Sequence, residues 1–364
     1  MYYLKLFNKT LLTFEMENVL GLEIKDIKIV EQNKEIYPIG LQEKQDEGAL
    51  LEFVKSRFIP KNRAFVTQIL ESAGLSINDT KGIIDTCKGL SLTDSYWIVQ
   101  DENLKFEDYN LFDNDFSEVL SLVAFTGYSS KIAGLITSPE FTTNGMLPKA
   151  WRRIDNKVYL YKGSTEIWKV SNSGYEPYSE YYTSQIEQKL GINHVEYDLN
   201  KWKQMLVSTC ELFTSKDISY VPIGNIVKTG GIKSVGEYLE SLGLEEKFKD
   251  MILLDALTMN TDRHFGNFGL LRNNNTGKFV DMAPIFDNGE SLLCKADPKI
   301  FKDIKEFDKY INLAENNISY HGASYDVLVK TYCGKRQIEK LRKILTFKFN
   351  KHEKYNLPDE RIKC

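Results

Sequence analysis

No apolar run in the sequence approaches the roughly 18 residues of a membrane-spanning helix. The opening residues, Met1-Tyr2-Tyr3-Leu4-Lys5-Leu6-Phe7-Asn8-Lys9, lack a basic segment leading into an apolar core. Neither a membrane span nor a secretory leader is expected, and the protein is read as cytoplasmic. Cysteine is scarce: five residues, at 87, 210, 294, 333 and 364, widely separated and never in a CxxC pattern. That spacing argues against a disulfide framework and a zinc site, and leaves the first four as buried or half-buried thiols. An excess of basic charge is missing too, with 47 Lys and Arg against 51 Asp and Glu and a net charge of −4. There is thus no global footprint for nucleic acid or an anionic membrane, and any basic site must be local. The four histidines, His194, His264, His321 and His352, are too few for a dense His/Asp metal cluster. Internal repeats, low-complexity tracts and an evident helix-turn-helix are also missing.

What is present is enough apolar sequence, 42% of 364 residues, to bury two or three packed units. Tyr3–Phe7 and Leu11–Phe14 read as a hairpin turning at Asn8-Lys9. Two helices are expected on either side of Pro60, from the spacing of Leu50, Leu51, Phe53 and Val54 and then of Phe65, Val66, Ile69 and Leu70. A buried strand should end near Val99, and the acidic stretch 101–118 reads as a loop and a boundary. Further on, 141–149 reads as a turn between strands, and Lys157-Val158-Tyr159-Leu160-Tyr161-Lys162 alternates like a strand. A helix is expected over 178–190 from Tyr182, Ile186 and Leu190, with Gly191 as its stop. Beyond Val221 the chain reads as mostly helical, with the clearest segments at 235–242, 244–259 and 335–347.

The stretch with most chemical content is Asn260-Thr261-Asp262-Arg263-His264-Phe265-Gly266-Asn267, followed by Ile285-Phe286-Asp287-Asn288-Gly289. Phosphoryl transfer asks a protein for a carboxylate near the attacking hydroxyl, oxygen ligands for magnesium and cations on the triphosphate of ATP. Asp262 and Asn267 have the offset of the catalytic Asp and metal-binding Asn in the kinase loop H-R-D-x-x-x-x-N. Asp262 is therefore the candidate base, and Asn267 and Asp287 are the candidate magnesium ligands, since a hard cation prefers oxygen. A hairpin turning at 273–277 would return Asp287 beside Asn267. Alone, an Asp and an Asn in a loop are turn formers and caps; the full string carries the reading. His264 is read as orienting the loop. Upstream, Lys162 closes a strand in a locally basic stretch and is the candidate for the ATP phosphates. Glu180 near the start of the next helix is its expected partner, with Glu187 as competitor. Thr142, Thr143, Asn144 and Gly145 form a turn whose amides could drape over phosphates.

Thr142-Thr143-Asn144-Gly145-Met146-Leu147-Pro148-Lys149, Tyr161-Lys162-Gly163, Ser179-Glu180-Tyr181 and the two downstream motifs together resemble the HipA-like serine/threonine kinases. The resemblance runs from about residue 126 to 347. It implies an α+β, bilobal protein-kinase-like fold with a small β-rich lobe, a large helical lobe and an N-terminal α/β subdomain. The implied division is 1–125 for the N-terminal subdomain, 126–213 for the phosphate-binding lobe and 214–364 for the catalytic and metal-binding lobe. It also implies ATP in the cleft, Lys162 on the phosphates, Asp262 as base, Asn267 and Asp287 on magnesium, and self-phosphorylation at Thr142 or its neighbour Thr143. A threonine stands where the family usually has a loop serine. A toxin role would need a separate antitoxin or DNA-binding polypeptide as partner, and the protein substrate is not encoded in any motif. The alternative is a non-catalytic, nucleotide-binding pseudokinase-like module; a phosphohydrolase built on Asp262, His264 and Asp287 is a third reading.

Overall fold

Strand β1 (Tyr2–Leu6) buries Tyr2, Leu4 and Leu6, and β2 (Lys9–Asn18) buries Leu11, Leu12, Phe14 and Met16. The two pair antiparallel, with Leu4 opposite Leu12 and Leu6 opposite Lys9. The turn is therefore Phe7-Asn8, one residue earlier than expected, with Phe7 in the left-handed region at φ 51°. Asn8 is committed elsewhere: its Oδ1 accepts from the Phe106 amide at 2.8 Å. β3 (Leu22–Ile29) and β4 (Tyr96–Val99) complete a four-stranded sheet of order β3-β2-β1-β4. Helices Glu47–Lys55, Val66–Ser72 and Thr80–Cys87 follow β3, and Leu50, Val54 and Ile84 join Leu4, Leu12, Phe14, Tyr37 and Leu41 in one core.

The computed structural model describes residues 1–18, 21–132, 137–168, 173–316, 323–358 and 361; His321 and Cys364 lie outside them. Among the described cysteines, Cys87 and Cys294 are buried free thiols and Cys210 and Cys333 are half-buried. The fold is α+β with antiparallel sheet pairing. No helix in the described residues is long and apolar enough to cross a membrane. The turn at 142–148 is not flanked by two strands: a short 3₁₀ turn, Pro139–Phe141, precedes it, and β5 (Lys149–Ile154) follows. β5 neighbours β6 (Lys157–Lys162) across Asp155-Asn156, whose φ angles of 49° and 63° suit a two-residue hairpin.

By compactness the chain forms two units. The first holds Met1–Tyr161, Leu212–Val221 and Leu271–Val280; the second holds Lys162–Glu211, Pro222–Leu270 and Asp281–Cys364. In the second unit, Pro177 opens helix Glu176–Leu190 and Gly191, at φ 68°, closes it. Strands β7 (Asp198–Trp202) and β8 (Met205–Glu211) pair antiparallel. Helices Gly231–Ser241 and Glu245–Thr258 follow; the latter buries Phe248, Met251, Ile252 and Leu254, with Asp250 and Asp255 buried beside them. β9 (Ile218–Pro222), β10 (Gly269–Asn273) and β11 (Phe279–Met282), most of whose residues belong to the first unit, form a three-stranded sheet of order β11-β10-β9. Ile304–Asn316, Tyr325–Tyr332 and Lys335–Arg342 are the last helices, the final one stopping five residues short of the expected 347.

Candidate active site

Lys162 stands where β6 ends and the second unit begins, and it is buried. Its Nζ donates to Glu180 Oε1 at 2.6 Å and to the Asp287 carboxylate. Burial opposes the ammonium charge, yet the Asp287 and Glu180 carboxylates outweigh it and hold Lys162 well above the usual lysine range. Glu180 is fully buried on helix Glu176–Leu190; burial pushes its carboxyl up and Lys162 pulls it back. Its second oxygen accepts from the Asn288 amide at 2.8 Å. The pair thus joins β6, the helix and the loop after Ile285. A Cβ on Gly289 would sit 3.4 Å from Lys162 Nζ and 3.5 Å from Glu180 Oε1, so larger side chains there would press on the pair.

The loop after helix Glu245–Thr258 is fixed from below. Asn260, fully buried, accepts from the Asp262 amide at 3.0 Å, while Asp262 itself reaches solvent. Partial desolvation by the atoms packed around it, and the Asp287 charge, push the Asp262 carboxyl up against the pull of His264 and Lys162. Such a shift favours a proton acceptor working near neutrality. His264 Nδ1 accepts from the Gly266 amide at 3.0 Å, and the His264 carbonyl accepts from the Asn267 amide at 2.8 Å. A Cβ on Gly266 would lie 2.7 Å from the imidazole, so a larger residue there would displace the His264 ring.

Arg263 binds the two loops into one piece. It is fully buried, meets Asp255 in a forked ion pair at 3.1–3.2 Å, and donates through Nη1 to the carbonyls of Asn267 and Phe286. Its Nη2 donates to Asn288 Oδ1 at 2.6 Å, and Asn288 Nδ2 donates to Glu187 Oε1 at 3.1 Å. A planar fork with several donors suits this task better than an ammonium. Asp287 has φ 61°, and its amide donates to Tyr197 Oη at 3.1 Å.

The donor set fits a hard divalent cation. Asn267 Nδ2 donates to the Asp262 carbonyl at 3.2 Å, which settles the amide orientation and turns its oxygen the other way. Asp287, a third exposed, takes the Lys162 cation on Oδ1, and its carboxylate is the kind of oxygen ligand that a hard cation prefers. The turn Thr142–Gly145 belongs to the first unit. There Thr142 Oγ1 donates to the Leu90 carbonyl at 2.8 Å, Thr143 Oγ1 donates to the Pro139 carbonyl at 2.7 Å and accepts from Trp151 Nε1 at 2.9 Å, and Gly145 has φ 96°.

No family model matches the chain. Over 154 residues it is 30% identical to the serine/threonine-protein kinase CtkA of Helicobacter pylori, a match covering 37% of this chain and 47% of that one. The chain spans about half the length of the curated relative it matches. Among solved structures, the proinflammatory kinase CtkA of H. pylori aligns with TM-score 0.45 and 24% identity, covering 54% of this chain and 77% of that one. The HipA of Shewanella oneidensis MR-1, solved with HipB and operator DNA, aligns with TM-score 0.49 and 12% identity over 96% of this chain and 92% of that one.

The structure brings Lys162, Glu180 and Asp287 into direct contact, and joins Asp262, His264 and Asn267 in one loop tied to Phe286 and Asn288. Sequence reasoning missed Asp255, and it quoted Asn260, Arg263, Asn288 and Gly289 in its motifs without giving any of them a role of its own. Asp255, the last acid of a helix before the motif, offers a signal in retrospect, because an acid on an otherwise apolar stretch needs a buried cation. Glu187, weighed as a partner for Lys162, instead meets Asn288; burial pushes its carboxyl well up.

Proposed function

We propose that the protein is an ATP- and magnesium-dependent serine/threonine protein kinase that transfers the γ-phosphate to a hydroxyl of a cytoplasmic protein. The observation that carries this reading is the buried Lys162, held between Glu180 and Asp287 beside a loop that presents Asp262 and Asn267. In this reading Lys162, oriented by Glu180, meets the phosphates, and Asp262 accepts the proton of the acceptor hydroxyl. Asn267 and Asp287 hold magnesium, which when bound neutralises phosphate charge. His264 and Gly266 keep the loop in shape.

Self-phosphorylation at Thr142 or Thr143 belongs to the same proposal. Either event would break a hydroxyl-to-carbonyl bond, to Leu90 or to Pro139, and loosen the turn. A toxin role with a separate antitoxin or DNA-binding polypeptide rests on the sequence resemblance.

The test is intact-mass and peptide mass spectrometry after incubation with Mg·ATP, beside Asp262→Gln. Phosphate gain by the wild-type protein, or by lysate proteins it acts on, is expected, with a loss of about 10²-fold or more in the variant. ATP binding without any transfer would move the reading to a non-catalytic nucleotide-binding module.

A further inference from the structure

Beyond Asp287 the second unit runs through a coil of successive turns, 288–296, whose side chains divide into two sets. Asn288, Ser291, Cys294 and Ala296 are buried and anchor it. Ser179 Oγ, on helix Glu176–Leu190, lies 2.7 and 2.8 Å from the Asn288 and Ser291 carbonyl oxygens, and Cys294 Sγ lies 3.2 Å from the Gly289 carbonyl. The coil also holds both ends of the turn that leads to Asp262. The Leu292 amide donates to the Thr258 carbonyl at 2.6 Å, and the Thr261 amide points at the Glu290 carbonyl at 3.5 Å. To follow this path Leu292 and Leu293 take left-handed backbone, φ 55° and 49°, which leucine seldom adopts.

The second set is Glu290 and Lys295, which meet in an ion pair at 2.5 Å with Lys295 half exposed. Both feel the charge of Asp262. Burial and the Asp287 charge push the Asp262 carboxyl up, and Lys295 joins His264 and Lys162 in pulling it back. Burial pushes the Glu290 carboxyl up, Lys295 pulls it down, and the Glu176 and Asp262 charges add to the push. Phosphoryl transfer spreads charge over the γ-phosphate oxygens beside the base, where a cation is worth most. The loop 260–267 has no lysine; its Arg263 is buried against Asp255, and its His264 uses Nδ1 as an acceptor.

We propose that Lys295 is a second catalytic cation, which leaves Glu290 to meet the γ-phosphate beside Asp262. This rests on the reading of Asp262 as the base of a kinase. A half-exposed ion pair is held weakly, so its ammonium exchanges readily onto a phosphate oxygen of higher charge. In the step itself the acceptor oxygen bonds to the γ-phosphorus while the bond from that phosphorus to the β,γ-bridging oxygen breaks. The hydroxyl proton passes to Asp262, and the electron pair leaves on ADP. Lys295 forms no covalent bond: it donates hydrogen bonds to a γ-phosphate oxygen, and Glu290 holds the ammonium until ATP arrives.

The experiment uses the full chain with Lys295→Met, Lys295→Arg and Glu290→Gln. It reads phosphate transfer from radiolabelled Mg·ATP to the chain itself and to lysate proteins, and the ratio of ATP to ADP affinity by competition with a fluorescent nucleotide. Lys295→Met should slow transfer by about 10²-fold or more, and should weaken ATP by about tenfold while leaving ADP unchanged. Lys295→Arg keeps the charge and should recover part of both losses. Glu290→Gln frees the ammonium and should tighten ATP without ADP, a direction that a purely structural pair would not give. Wild-type transfer and an unchanged ATP to ADP ratio in Lys295→Met would overturn the proposal, as would equal losses in Lys295→Met and Glu290→Gln. A wild-type protein that transfers nothing to any acceptor would overturn the kinase reading instead, and the ratio in Lys295→Met would then still decide whether this lysine meets the γ-phosphate.

Discussion

Glu140 shows how much one buried acid can bring to the behaviour of the chain. It is fully buried, as is Arg63, whose Nη2 donates to it; Glu140 Oε1 accepts from the Trp151 amide at 2.8 Å. Burial pushes the Glu140 carboxyl up from 4.5 to about 7, against the pull of Arg63. Between those two values the folded protein keeps a proton that the unfolded chain has lost, so stability falls as pH rises through that window and is level beyond it. The contribution is about 3 kcal/mol at most. Denaturant midpoints should therefore decline more steeply from pH 5 to pH 8 in the wild-type protein than in Glu140→Gln; parallel curves would show that Glu140 ionises normally. Nothing in the sequence signals this residue, because Glu140 between Pro139 and Phe141 reads as a polar loop position. Arg263 escaped for the same reason: periodicity reports apolar burial, whereas a charged group is buried only when distant partners compensate it, here Asp255 and Asn288.

Elements were far more legible than partners. Helix Glu176–Leu190 was readable from Tyr182, Ile186 and Leu190, all buried, and from the stop at Gly191. Its buried face also carries Glu176, Glu180, Thr183 and Glu187, which no apolar pattern reveals, and the choice between Glu180 and Glu187 for Lys162 needed coordinates. A further face of this helix is held by the segment after Phe347. Gln185 Nε2 donates to the Asn350 carbonyl at 3.1 Å and Gln185 Oε1 accepts from the Asn350 amide at 2.8 Å. Tyr178 Oη donates to the Asn356 carbonyl at 3.2 Å, and the His352 ring meets Tyr181 edge-on with Nε2 3.1 Å from Asp198. These contacts lie near the surface, so Gln185→Ala should lower global stability by no more than about 1 kcal/mol. It should nonetheless speed amide exchange from Phe349 to Tyr355 without altering exchange in the helix. Unchanged exchange at Asn350 would show that the aromatic contacts alone seat the segment.

At the scale of the molecule, the sequence suggests consecutive domains because composition changes along the chain, yet the compact units are not consecutive. The first unit takes back Leu212–Val221 and Leu271–Val280 after the chain has entered the second. Those returns are short stretches of β9, β10 and β11, and no local signal in them states which sheet they complete. Their consequence is that neither 1–161 nor 162–364 is a self-sufficient piece. Without the returning strands, Ser95 loses the Lys216 carbonyl, and Tyr96 loses Arg272. The complementary fragment would expose Arg272 and Asn274, both 1% exposed in the whole chain. Long-range pairing of this kind closes large loops before it gains contacts, so the two units should depend on one another during folding. Residues 1–161 expressed alone should show no cooperative thermal transition and collapsed amide dispersion, whereas the same residues joined by a short linker to 212–221 and 271–280 should recover part of both. A cooperative transition in the isolated 1–161 fragment would mean that the β1–β4 sheet and its helices fold without the returning strands, and that the hairpin is docked onto a finished unit rather than built into it.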